Sequence, residues 1–171
     1  TWEHQALVRA RAICGDSSVI EAFNAVRKSI LTKQREPSSL ADDVCKMRIK
    51  MREHLLSKTE QKVDLKQCVG GITDIEFMTQ YWVLANSYKL ESMTQFTDNL
   101  RILENAVESE IIEANTAKGL QKAYLKLREQ YHHLTLADSK FADQTEELDA
   151  IRENVKTHWE VLFGASCNNQ A

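Results

Sequence analysis

The stretch GGITDIEF, residues 70–77, holds the densest set of chemistry-capable residues in the chain. Gly70 and Gly71 can bring backbone N–H groups close to a phosphate, and carboxylates such as Asp74 and Glu76 can hold a divalent cation. The spacing favours neither use. It matches neither G-x-G-x-x-G nor G-x-x-x-x-G-K-[ST]. Residues two apart on a helix project about 200° from one another, so both carboxylates reach one ion only if the first turn is irregular. A local reading accounts for more of the letters. Thr73 and Glu76 form T-x-x-E, a capping box, with Ile72 and Phe77 as its hydrophobic staple and Asp74 favouring the helix dipole. A helix start and a site both remain open here.

The second dense stretch is TWEHQALVRARAICGD, residues 1–16. Arg9 and Arg11 lie about 200° apart on a helix and so point at different partners. One could grip a phosphate or a neighbouring domain bidentately; a salt bridge to Glu3 or Glu21 is the plainer use. Along residues 46–52, Lys46, Arg48, Lys50 and Arg52 spread over two helix flanks and read as solvated surface rather than a phosphate clamp. His132 and His133 are adjacent, hence on different helix faces, and do not make a zinc pair. Cys14, Cys45, Cys68 and Cys167 form no C-x-x-C, which reads as free thiols in a reducing cytosol.

The elements that must position these residues are helices. The chain has 171 residues, one proline and five glycines, too few breakers for a β-rich fold with many tight turns. With 43% hydrophobic and 27% charged residues it has the composition of a soluble globular domain. A net charge of −3 offers no electrostatic argument for nucleic acid or an anionic membrane as partner. No apolar run approaches the roughly 18 residues of a membrane span.

Periodicity predicts seven helices. The first covers about 2–14 and stops at Gly15. The second, capped by Asp16 or Ser17, runs to about 32 with Ile20, Phe23, Val26 and Ile30 facing inward. The third, about 39–57, follows the polar break KQREPSS and turns Leu40, Val44, Met47, Met51 and Leu55 to one side. Residues 58–72 interrupt the pattern, with a short extended piece near 62–68. The fourth, about 73–88, is apolar on almost every side and should be central. The fifth covers about 97–108 with Thr97 as cap, the sixth about 115–136, and the seventh about 143–163, closed by Gly164. The expected architecture is all-α: an up-and-down bundle over 1–163 and a frayed tail over 164–171.

Four separated motifs carry a family resemblance: TWEHQALVRAR, KVDLKQCVGGITDIEFMTQYWVL, TDNLRILE and AYLKLREQYHHLTL. In this order they resemble the bacterial bifunctional glutamine synthetase adenylyltransferase/adenylyl-removing enzymes, from residue 1 to about 163. The resemblance implies a two-headed enzyme. Each half has a nucleotidyltransferase domain followed by a helical domain of the kind shared with PII uridylyltransferases. One half attaches AMP from ATP to a tyrosine of glutamine synthetase, and the other removes it. The family's N-terminal half reads W-E-R-x-A-x-x-K-A-R and G-G-I-R-E-x-E-F. WEHQALVRAR and GGITDIEF are instead similar to the C-terminal, adenylylating half.

The family's catalysis rests on a G-S-x-x-D-x-D motif whose carboxylates hold Mg²⁺ against the ATP triphosphate. GDSS at 15–18 lacks the paired aspartates. The chain opens on Thr1-Trp2-Glu3 without a starting Met and reads as part of a longer protein. The resemblance therefore implies that Mg²⁺ and ATP are held upstream, in a nucleotidyltransferase domain of the same polypeptide, and that this chain alone carries no catalytic or metal-binding residue. Glu3, Gln5, Arg9, Arg11, Lys66, Asp74, Glu76 and Gln80 match the polar positions of the family motifs. They are expected to gather on a surface facing the catalytic domain or the substrate. The implied partners are glutamine synthetase and the PII signal protein, in the cytoplasm. A pure PII-binding module, or the helical domain of a PII uridylyltransferase, are the alternatives.

Overall fold

A computed structural model describes residues 2–55 and 62–168. The elements are α1 (Trp2–Arg9), α2 (Ser17–Leu31), α3 (Pro37–Leu55), β1 (Lys62–Val63), α4 (Ile72–Asn86), a 3-10 turn (Glu91–Thr94), α5 (Asn99–Glu108), α6 (Ala114–Leu136), β2 (Ala142–Asp143) and α7 (Glu146–Asn168). The fold is all-α, as expected. The extended piece shrinks to Lys62–Val63, which pairs antiparallel with β2, Lys62 opposite Asp143 and Val63 opposite Ala142. Residues 56 and 57 of the expected third helix, 58–61 of the break and 169–171 of the expected tail lie outside the described residues, as does Thr1.

α4 holds the centre and packs against α1, α3, α5, α6 and α7. Ile75, Met78, Val83 and Leu84 on it are fully buried, with Val44 of α3, Leu103 of α5, Leu120 and Leu127 of α6, and Val155 of α7 around it. A helix packed by five others has little solvent-facing surface to leave polar, which is why its apolar residues show so little one-sidedness.

Several expected features shift. α1 stops at Arg9, short of Gly15, because the buried Arg27 guanidinium donates from Nε to the Leu7 carbonyl (2.9 Å) and from Nη2 to the Val8 carbonyl (2.9 Å). These acceptors would otherwise continue the helix. α5 is capped by Asp98 rather than Thr97; its Oδ1 accepts from the Arg101 amide at 3.0 Å. α7 begins at Glu146 and runs past Gly164 to Asn168, so Gly164 is interior and not a stop. A Cβ added there would meet nothing within 4 Å, so the glycine serves no close approach. In α2, Val26 is 56% exposed, against the expected inward stripe.

The cysteines also depart from expectation. Cys45 of α3 and Cys167 in the last turn of α7 form a disulfide across 122 residues, while Cys14 and Cys68 are free. α3 and α7 pack side by side, a proximity that sequence spacing cannot reveal. The bond also ties down the last turn of α7, where fraying was expected. Cys68 is buried, and burial pushes its thiol up to about 11, opposed in part by the nearby Arg152 guanidinium. Its unfolded value is 9.0. The unfolded chain therefore releases this proton first as pH rises, and the group's contribution to stability is full below 9 and lost as pH climbs towards 11. Peptide mapping after alkylation at pH 8 should find Cys14 modified first. Cys68 should react about a hundredfold more slowly in the folded protein than in the unfolded chain, from its thiolate fraction alone. Cys45 and Cys167 should react only after reduction.

Candidate functional site

The approach to α4 is built from backbone. Asp64 Oδ1 accepts from the amides of Lys66 and Gln67, both at 3.0 Å, and folds 64–68 into a tight turn. The carbonyls of that turn then receive the first amides of α4: Ile72 N donates to Leu65 O (3.0 Å) and Thr73 N to Lys66 O (3.2 Å). The expected capping box is therefore absent. Gly71 is the N-cap, with no side-chain cap bond, and the Thr73 hydroxyl is buried without a partner. The Thr73 amide, which Glu76 would have satisfied, is already taken by the Lys66 carbonyl, and with the helix beginning at Ile72 the Glu76 amide falls inside it.

The paired glycines have a steric reason. Gly70 sits at φ +73°, and a Cβ there would collide with the Arg152 carbonyl of α7. A Cβ at Gly71 would stand 2.8 Å from the Leu65 carbonyl and 2.9 Å from that of Cys68. They allow backbone to approach backbone, not phosphate.

The two carboxylates of GGITDIEF part company, as their spacing on the helix requires. Asp74 is 1% exposed. Its Oδ2 accepts from the Gly70 amide at 2.7 Å, and its Oδ1 from Arg48 Nε at 2.5 Å and Arg52 Nη2 at 3.4 Å. Arg48, fully buried, also donates from Nη1 to Gln67 Oε1 (3.1 Å) and from Nη2 to the carbonyls of Gln67 (3.0 Å) and Cys68 (3.4 Å). The reading of Arg48 as solvated surface is thus corrected. It shares the buried face of α3 with Ala41, Val44 and Cys45. That register, three and four residues after Cys45 and Val44, was the available signal.

Glu76 points the other way. Its Oε1 accepts from Arg9 Nη1 at 3.1 Å and from the Tyr124 hydroxyl at 3.4 Å. Arg9 therefore pairs with Glu76 rather than Glu3 or Glu21. Arg128 Nη1 donates to the Tyr124 hydroxyl at 3.2 Å, which extends the chain of contacts along α6. Tyr124 and Arg128 were quoted in a motif but not singled out, since only the packing of α6 on α4 brings them to Glu76.

Beside this cluster, α1 and α3 flank a groove of about 1000 Å³ floored by α4. Glu3, Gln5, Lys66, Glu76 and Gln80 all line it, and Met47, Met51 and Phe77 give it apolar walls. Gln5 is nearly buried; its Nε2 donates to Gln80 Oε1 at 3.1 Å, while its own Oε1 has no partner. Arg9 reaches the groove through Glu76. Asp74 does not line it and lies beneath, engaged with Arg48. Arg11 is exposed beyond the end of α1 and does not join the cluster.

This central-helix bundle defines a helical domain, and the chain belongs to the family whose model is described as GlnD PII-uridylyltransferase, which matches residues 45–162. Over 164 residues it is 70% identical to the bifunctional glutamine synthetase adenylyltransferase/adenylyl-removing enzyme of Alteromonas mediterranea (strain DSM 17117 / CIP 110805 / LMG 28347 / Deep ecotype). The match takes in 96% of this chain but 17% of that protein, so the chain spans about one-sixth of that relative's length.

The two carboxylates should respond differently to mutation. Asp74→Ala leaves Arg48 buried and unpaired and is expected to cost about 3–5 kcal/mol in urea unfolding. Glu76→Gln disturbs a half-exposed pair and should cost no more than about 1 kcal/mol.

Proposed function

We propose that this chain is a helical domain of a bifunctional glutamine synthetase adenylyltransferase/adenylyl-removing enzyme. In this reading it serves the half that transfers AMP from ATP to a tyrosine of glutamine synthetase. The 70% identity across nearly the whole chain supports the enzyme, and the wording of WEHQALVRAR and GGITDIEF supports the half. Mg²⁺ and ATP are assigned to a nucleotidyltransferase domain elsewhere in the polypeptide. The residues present do not suit a metal: among the described residues no three His, Cys, Asp or Glu side chains come together to hold one, and Asp74 and Glu76 are both engaged by arginines.

The groove between α1 and α3 is the surface proposed to face the catalytic domain or glutamine synthetase. Support comes from five motif-matching polar residues gathered on it and from the way Glu76 is held. Arg9 of α1 and Tyr124 of α6 fix its carboxylate from two sides, so the groove's polar floor is set before any partner arrives. The protein is assigned to the cytoplasm, and no described helix is long and apolar enough to cross a membrane.

The uridylyltransferase reading retains the support of the family model, whose description names that activity. The adenylyltransferase likeness extends over residues that the family model leaves out, and it is preferred here. A role in receiving the PII signal protein rests on Lys46 and Lys50, exposed on the groove flank of α3.

Arg9→Ala and Glu76→Gln in the full-length polypeptide should lower AMP incorporation into glutamine synthetase about tenfold, a loss of near 1.4 kcal/mol in transition-state stabilisation. The circular-dichroism melting midpoint should move by no more than about 4 °C. Full activity in both variants would refute the role of the groove. The 171-residue chain by itself should transfer no AMP; robust transfer would overturn the assignment of catalysis to another domain.

A further inference from the structure

The two sides of α2 are unlike. Its inner side is pinned by Arg27, which is 8% exposed and donates to the carbonyls of Leu7, Val8 and Thr94 at 2.8–2.9 Å. Arg35 folds back on its end and bonds the carbonyls of Ile30 (2.8 Å) and Leu31 (2.9 Å). The strip beside Arg27 carries Val19, half-buried Phe23 and Val26, at i, i+4 and i+7. Val19 is 64% and Val26 56% exposed, and Ile13 in the preceding linker is 85% exposed. Of the described helices, α2 packs chiefly on α1. A helix facing water on that side would be polar there; a contiguous apolar stripe on a firmly held helix marks a contact surface.

The stripe is also nearly uncharged. Glu21 and Lys28 are the ionisable residues of α2 besides the buried Arg27, and Lys28 pairs with Glu91 at 2.6 Å. An anionic lipid surface or an acidic peptide would call for basic residues here. The apolar packing face of a folded domain does not.

The family model matches residues 45–162, and the long relative aligns over 96% of this chain, α1 and α2 included. That relative is about six times longer than the aligned segment.

We propose that α2 is a packing element of a neighbouring folded domain of the same polypeptide, seated against it through Val19, Phe23 and Val26. The helix is then shared: Arg27 joins it to the bundle, and the adjoining strip is covered by the neighbour. Arg27 bonds the last carbonyls of α1, and α1 carries Arg9 to Glu76. A shift of the neighbouring domain is thereby passed to the groove through one short rigid path. The proposal rests on the chain being part of a longer enzyme and is indifferent to which group that enzyme transfers.

Photo-crosslinking tests it. A benzoylphenylalanine side chain is placed at Val19 or at Val26 in the full-length polypeptide. A control goes at Leu136, which is 85% exposed at the end of α6. The expected result is crosslinks within one polypeptide, mapped by mass spectrometry to residues outside this chain, about tenfold above the control, as a stable contact surface requires. Products of doubled mass would assign the stripe to a second copy and overturn the proposal. So would crosslinks only within residues 1–171, or yields no higher than the control. A failed AMP-transfer assay leaves the crosslink result untouched, so the two readings fail separately.

Discussion

The buried contact between Arg48 and Asp74 decides how the rest of the molecule is put together. It joins α3 to the start of α4, and through Gln67 and Cys68 it also holds the turn that caps α4. A guanidinium has five donors in a fixed plane and no way to lose its charge. Once buried it must find acceptors on several sides, and here they come from a carboxylate, a side-chain amide and two backbone carbonyls. That requirement sets the shape of residues 64–74. Gly70 must adopt positive φ so that its amide can reach Asp74 Oδ2 while its Cα passes against the Arg152 carbonyl. The charge is costly to bury and gains little over an apolar replacement. What it secures is a particular arrangement of α3, the turn and α4, with α7 closed over the glycines.

That arrangement determines what Glu76 can do. Residues 74 and 76 lie on opposite sides of α4, so anchoring Asp74 inward turns Glu76 outward towards α1 and α6. One carboxylate is committed to the core and the other is offered at the groove. The two were legible from the sequence as a pair of acids with helical spacing, and that spacing correctly disfavoured a shared metal ion. It could not say which acid was buried. The answer depended on Arg48, whose neighbours Lys46, Lys50 and Arg52 suggest a solvated flank. The register with Val44 and Cys45 pointed the other way.

The number and order of the helices were legible because glycine and proline are scarce and the apolar spacing is regular. What periodicity could not supply were the ends. α1 closes where Arg27, eighteen residues further on, takes its carbonyls. The start of α4 is satisfied by backbone from a turn that breaks the helical pattern, so a well-formed T-x-x-E signature goes unused. α7 outruns its glycine with its last turn held to α3 by a disulfide. In each case a long-range partner replaces the local signal. The groove was legible in part: five of its polar residues stood in the motifs, while Tyr124 and Arg128 needed the packing of α6.

The stripe on α2 shows a different limit. Ile20, Phe23, Val26 and Ile30 have helical spacing, and the reading of an amphipathic helix was sound. Yet Val26 faces water and Ile20, Phe23 and Ile30 are only half-buried. Periodicity reports that a helix has a face to bury; it does not report whose surface buries it. Inside one compact domain the distinction is idle, because the partner is always the same core. At a junction between domains it matters, and α2 has the marks of such a junction. Its polar anchor, Arg27, is spent on this bundle, and its apolar stripe is not. A helix fixed by directional hydrogen bonds along one line can present a non-directional apolar surface beside it without losing its own position. That combination suits an element that must keep two bodies in register, with α1 one hydrogen-bonded step away through Arg27 and Glu76 a second step away through Arg9.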